Sequence, residues 1–346
     1  MTKILVLLLI FVLTSGCMLH KKEKPVGVEV LPLMSSQSDF ANRLWVGTFQ
    51  LAWNDLMDEL VKGDVEFAGG TPDVVKGLNK QEFKADYLSE SSYYKTWGKA
   101  SFQLRDKIVN GIKEKFNEKS DIVGSIDWTP APSKYVIYAM LKKDFKFLKA
   151  FDKLEPEKFG NSEEKVEYFG IKPQHNDELS QNIGVLFYNS TDDFAVKLYT
   201  KGDDIVYLYR TDDDATFDKL YSDMNKKSEK YEGRKFFGSK DYFKVPEIKL
   251  YQEKMFNDVC NRAIVGTDFM IDKALETVDF KMNNEGVKLK SEAVIVTRLT
   301  SVGPGYAPKP RYFYFDDTFV IFLQEKEQPY FALRIKDAVS LNKTAK

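Results

Sequence analysis

Two histidines and two cysteines, His20, His175, Cys17 and Cys260, are all the imidazoles and thiols that 346 residues supply. A hydrolase built on a Ser-His-Asp or Cys-His pair would have to take His175 as its base. That residue lies in the polar stretch "GIKPQHNDEL", the setting of a surface histidine. Cys260, in "MFNDVCNRAIV", has no base beside it in sequence and sits among apolar residues, so it reads as a small buried side chain rather than a thiolate nucleophile. Two histidines and at most one free cysteine fall short of zinc-ligand spacing, and no metal is expected. The acidic runs Asp212 to Asp214 and Asp316–Asp317 do not fit a calcium loop, and carboxylates in turns are ordinarily solvated. "EFAGGTPD" lacks the lysine and the spacing of a phosphate-cradling loop. The chain therefore reads as a non-enzyme without a cofactor.

Cys17 has a different context. Lys3, an apolar run from Ile4 to Leu13, and the small residues of "TSGC" have the layout of a bacterial lipoprotein signal, with Cys17 as the lipidated residue; an ordinary secretory signal cleaved nearby is the alternative. The apolar run is too short to span a bilayer. The expected organisation is a signal over 1–17, a flexible tether over 18–37 and one domain over 38–346, lipid-anchored at the cell envelope outside the cytoplasm. The composition, 43% hydrophobic and 30% charged, is that of a globular protein with a large core. Lys plus Arg (51) balances Asp plus Glu (52) with no basic face, which argues against nucleic acid as a partner.

The elements that must position any site run helices first, then strands. An amphipathic helix is expected from Ser38 or Asp39 to Gly63, on Leu44, Trp45, Phe49, Ala52, Trp53, Leu56 and Leu60. Thr71 as N-cap and Pro72 at the first helical position open a short helix, and Leu104, Ile108, Ile112 and Phe116 mark a third from about Ser101 to Lys119. From Ser133 onward come "KYVIYAML", "IGVLFYN", "DFAVKLYT", "DIVYLYR", "YFKVPEIKL", "VDFKMNN", "VKLKSEAVIVT", "RYFYFDDTFVIFL" and "PYFALRIK", alternating segments separated by turn clusters. Segregated helices and mostly antiparallel strands make an α+β fold.

Several of these segments together resemble the serpin family. "FYFDDTFVIFLQEKEQPYFALRIKD" looks like the family's closing hairpin, and "MNNEGVKLKSEAVIVT" resembles its hinge, with Glu285–Gly286 at the Glu-Gly pair preceding the mobile reactive loop. "YFKVPEIKLYQEKMFNDVC" and "KYVIYAMLKKDFKFLKAFD" are similar to two further strand segments, and "KIVNGIKEKFNEKSDI" to the helix before them. The segments fall in family order over residues 104 to 337. The chain departs from the family at Tyr138, where an Asn is usual, at Lys273, where His is common, and in a short N-terminal part.

The resemblance implies a serpin-like α+β fold with an exposed reactive loop and a serine (or cysteine) protease as target, the protein acting as a monomer. Cleavage would let the strand from the hinge glycine enter the sheet. Val287, Leu289, Ser291, Ala293 and Ile295 would face inward, against Lys288, Lys290 and Glu292 outward. The strand would be held outside its slot until cut, and each larger inward side chain would contribute roughly 1.5–3 kcal/mol on burial, before loop-ordering entropy. Family spacing puts the scissile bond near Thr300–Ser301, with Arg298–Leu299 as the alternative. "VKLKSEAV" is bulkier than the run of small residues usual in inhibitory members, which leaves a non-inhibitory binding lipoprotein of the same fold as the competing expectation.

Overall fold

A computed structural model describes residues 27–131, 134–289 and 309–342. The chain opens with β1 (Val28–Leu31) and β2 (Asn42–Val46), followed by α1 (Thr48–Asp55), which widens into a π-turn over Leu56–Val61, then α2 (Asp73–Leu78), β3 (Tyr93–Lys99) and α3 (Phe102–Phe116). Next come β4 (Tyr135–Leu141), β5 (Lys143–Lys146), β6 (Asp152–Lys158), β7 (Lys165–Gly170), α4 (Asn176–Leu179), β8 (Ile183–Tyr188), β9 (Phe194–Tyr199), β10 (Ile205–Arg210) and α5 (Phe217–Lys230). The last third holds β11 (Tyr242–Pro246), β12 (Ile248–Met255), β13 (Arg262–Ala263), β14 (Met270–Ile271), β15 (Leu275–Asn283), β16 (Gly286–Leu289), β17 (Tyr312–Tyr314), β18 (Phe319–Gln324), β19 (Pro329–Ile335) and α6 (Ala338–Asn342).

Three sheets carry the fold. Seven strands in the order β1-β2-β19-β18-β10-β9-β8 form the largest, and β17-β11-β7-β6 a second. The third, β12-β15-β16-β5, is extended by the pair β4-β3, because only Lys142 separates β4 from β5. The main core lies between this extended sheet and the seven-stranded one, where every residue of β19 is buried. A second, smaller cluster sits on the opposite face of β3-β4, under α3.

Helix α3 follows directly from its sequence. Leu104, Ile108, Ile112 and Phe116 are its buried residues, one every four positions, and Ser101 caps the helix by accepting the Leu104 amide at 3.1 Å. Asn117, in the left-handed region at φ 53°, stops it.

Two N-terminal expectations are corrected. Val28–Leu31 is a strand within the stretch expected to be a tether: Val30, Leu31 and Leu33 are buried and β1 pairs in parallel with β2. The helix expected from Ser38 begins only at Thr48; Leu44 and Trp45 belong to β2, which is buried along its whole length between β1 and β19. A strand buried on both faces shows no alternation, so its apolar residues blend into the period of the helix that follows. Pro72, rather than Thr71, is the N-cap residue of α2, and the Thr71 hydroxyl accepts the Phe67 amide at 3.0 Å. Helices also fail to come strictly first, since β1 and β2 precede α1 and five strands of the large sheet precede α5, whose buried residues are Phe217, Leu220 and Met224 amid polar neighbours.

Candidate functional site: a gap in the central sheet

Residues 283–286 make the turn from β15 into β16. Asn283 Oδ1 accepts the amides of Glu285 (3.0 Å) and Gly286 (3.3 Å), and Asn284 is held to Phe151 through both its backbone carbonyl and its side chain. Gly286 enters against β5 so closely that a Cβ would lie 2.1 Å from the Phe145 carbonyl oxygen, which no side chain tolerates. Glu285, exposed, pairs with Lys146 at 2.6 Å, and this cation holds its carboxyl below the ordinary range.

From Gly286 the chain runs antiparallel to two neighbours at once. Val287 faces Met282 of β15 and Phe145 of β5, and Leu289 faces Lys143 of β5. Val287 and Leu289 point into the core while Lys288 stays outside, 3.8 Å from Asp144 and directly across from Lys281. The inward and outward sides are those read from the sequence. The expectation that this strand stands wholly outside the sheet is corrected: over Gly286–Leu289 it is already paired on both edges, because the apolar Val287 and Leu289 gain burial and ladder hydrogen bonds there. Ser291, Ala293, Arg298, Leu299, Thr300 and Ser301 lie outside the described residues, as does Cys17.

Below Leu289 the two neighbours continue with no strand between them among the described residues. Among the described residues β4 pairs only with β3, and β15 from Leu275 to Phe280 pairs only with β12. The gap contains a cavity in two adjoining lobes of about 210 and 120 Å³. Both are floored by Phe49 and Ala52 of α1, whose own polar side chains are satisfied internally: Gln50 donates to Asn54 and Leu78, and Asn54 donates to the Phe83 carbonyl. Glu276 of β15 faces the same floor. One carboxylate oxygen accepts the Phe49 amide at 3.2 Å, the other has no hydrogen-bond partner, and burial pushes the carboxyl up to about 8.

Lys143, its side chain 3% exposed, lies on β5 directly across from Leu289. It sits between Asp204 (2.9 Å) and Glu325 (2.8 Å) and over the ring of Tyr330, whose hydroxyl donates to Asp204. Burial raises the Asp204 carboxyl; burial also acts on Glu325, but hydrogen bonds from Lys143 and Ser89 outweigh it and leave that carboxyl below its ordinary value. The far end of the loop is fixed as firmly. Arg311 donates to both oxygens of the fully buried Asp241, at 3.3 and 2.7 Å, and to the carbonyls of Arg234 and Phe236, and Arg234 itself binds Asp241 at 2.6 Å.

The residues weighed for catalysis do not converge. His175 is exposed and paired with Asp152 at 2.7 Å. Cys260 is buried and free, its thiol pushed up by burial. Asp214 pairs with the buried Arg43 and Arg334, and Asp316 lies near Lys244 and Arg210. Sequence reasoning passed over Glu276, Lys143 and the Arg311–Asp241 pair. The first carried a signal, since Glu276 falls on the inward side of an alternation with Val278, Phe280 and Met282; Asp241 and Arg311 are too far apart in sequence to carry one.

The arrangement matches solved structures. The mouse protein-Z dependent protease inhibitor superposes with a TM-score of 0.50 at 13% identity, covering 86% of this chain and 91% of that one. The fold is serpin-like. Serpin48 of the insect Tenebrio molitor, described as a highly specific serpin, aligns over 85% of this chain and 91% of its own, at 13% identity and a TM-score of 0.47. No family model matches the sequence, and no curated protein matches it either. Within this serpin-like fold the gap between β4 and β15 lies directly in line with the strand that leaves Gly286.

Proposed function

We propose that the protein inhibits serine (or cysteine) proteases by loop cleavage and strand insertion, from a lipid anchor on Cys17 at the bacterial cell envelope. The observation that carries this reading is the register of β16. Gly286–Leu289 occupies the first four places between β15 and β5, and the same register leads on between edges that have no strand partner among the described residues. Continued inward, the strand would set Ser291 beside Val278 and Leu141, and Ala293 beside Glu276 and Ala139. Ile295 would reach the level of Ile137. Small residues would then face the narrow, partly polar section of the gap and the larger one its apolar section. Each ladder hydrogen bond added would contribute about 0.5–1.5 kcal/mol, so a run of several gives insertion a strong driving force. The scissile bond is placed at Thr300–Ser301 or Arg298–Leu299.

Incubation with trypsin-, chymotrypsin- and elastase-like enzymes should give an SDS-stable adduct heavier than either partner, and cleavage should raise the melting temperature. A binding lipoprotein on the same scaffold is favoured by one observation: Gly286–Leu289 is already paired on both edges in the uncut chain, so that part of the gain from insertion is realised before any cleavage. Cleavage with no adduct and no gain in melting temperature would establish that reading instead. Anchoring is tested separately, since Cys17→Ala should move the protein from the membrane to the soluble fraction.

A further inference from the structure

The two lobes of the cavity differ in chemistry. Among the described residues Asp121, Glu276 and Asp279 contribute to the smaller lobe, and neither lysine nor arginine lines it. The larger lobe is walled by Phe49, Trp53, Ile137 and Phe269, and Asp127, Lys134, Asp272 and Lys273 also line it. Glu276 is wholly buried, and of its two oxygens only the one held by the Phe49 amide, in the first turn of α1, has a partner. A buried oxygen without a partner is costly, and a helix N-terminus favours the ionised carboxylate. A cation would satisfy both. Among the described residues no three carboxylates, histidines or cysteines converge as metal ligands, so the cation that fits is organic.

We propose that this cavity binds a small amphipathic amine, its ammonium paired with Glu276 and its apolar body lying on Phe49, Ala52 and Ile137. The group bonded to the carboxylate is the Phe49 amide of α1; of the other polar groups on the lobe, Asp279 lies on the outer face of β15 beside Lys281, the Tyr138 hydroxyl donates to Ser120 on the α3 side, and Asp121 stands in the turn after α3, while Leu289 closes the β16 side. Glu276 holds a proton in the empty site at neutral pH, its carboxyl being raised to about 8 by burial. Entry of an ammonium therefore releases that proton to solvent and leaves the carboxylate as its counter-ion. This binding needs no inserted strand, and insertion that set Ala293 beside Glu276 would displace the amine.

The test is calorimetric titration of the full chain with phenethylamine, using the alcohol of the same skeleton as control. The amine should bind about tenfold tighter for each pH unit from about pH 6 to about pH 8, with one proton released, while the alcohol shows no pH dependence. Glu276→Gln should remove that dependence and weaken the amine at least about tenfold. Ala52→Phe, which fills the larger lobe and leaves the carboxyl intact, should weaken amine and alcohol alike. Equal affinity for the two probes, a pH dependence that survives Glu276→Gln, or no binding of the amine at all would overturn the proposal.

Discussion

Replacing Glu276 by glutamine tests how the gap is held open. The perturbation is nearly isosteric and mimics the neutral acid, which can still accept the Phe49 amide. Burial raises the carboxyl from its ordinary 4.5 to about 8 on folding. Between those values the folded chain keeps a proton that the unfolded chain has released, so stability falls as pH rises through that window. Each pH unit costs about 1.4 kcal/mol, and the whole window on the order of 5 kcal/mol. Below 4.5 the carboxyl is protonated in both states and the cost vanishes. Wild type should therefore lose on the order of 4 kcal/mol more than Glu276→Gln between about pH 5 and about pH 8, a difference large against the marginal stability of most domains. Urea unfolding followed by tryptophan fluorescence at a series of pH values measures it. Parallel pH profiles for the two proteins would refute the claim that this carboxyl is buried neutral behind the sheet.

Three further outcomes follow from the same geometry. Lys143→Met leaves Asp204 and Glu325 buried without their cation and should cost about 3–5 kcal/mol in urea unfolding, whereas loss of a surface ion pair such as Lys76–Asp73 should cost less than about 1 kcal/mol. Gly286→Val drives a side chain into the Phe145 carbonyl and should expel β16 from the sheet, seen as loss of hydrogen-exchange protection at Val287 and Lys288 while the amides of α3 stay protected. Ile112→Ala empties the fully buried centre of the cluster under α3 and should destabilise by about 2–5 kcal/mol, against about 1 kcal/mol for removing the Ser101 cap by Ser101→Ala, both read from the urea midpoint.

How far the sequence could be read varies from element to element, and the reason lies in which interactions decide each one. The stripe Leu104, Ile108, Ile112, Phe116 has one helical solution, and Ser101 supplies its own cap three residues from the amide it accepts, so α3 is a local matter. Strands β8, β9 and β10 were legible for a similar reason, being apolar segments bounded by turn residues. The polar β6, "DKLEPEK", was not, because its place in a sheet depends on partners supplied by β7.

The sequence alone determined the alternation that sends Val287 and Leu289 inward, because it depends on a two-residue period, whereas the need for glycine at 286 is set by the Phe145 carbonyl of β5, far away in the chain. It could not determine where that strand lies, since the same alternation suits a segment outside a sheet and one within it. Only the tertiary structure decided that Gly286–Leu289 is clasped by β15 and β5, that a gap follows between β4 and β15, and that Glu276 is buried behind it. Those outcomes turn on edges and charges brought together from more than 100 residues apart, such as Lys143 against Glu325, and no local pattern encodes them.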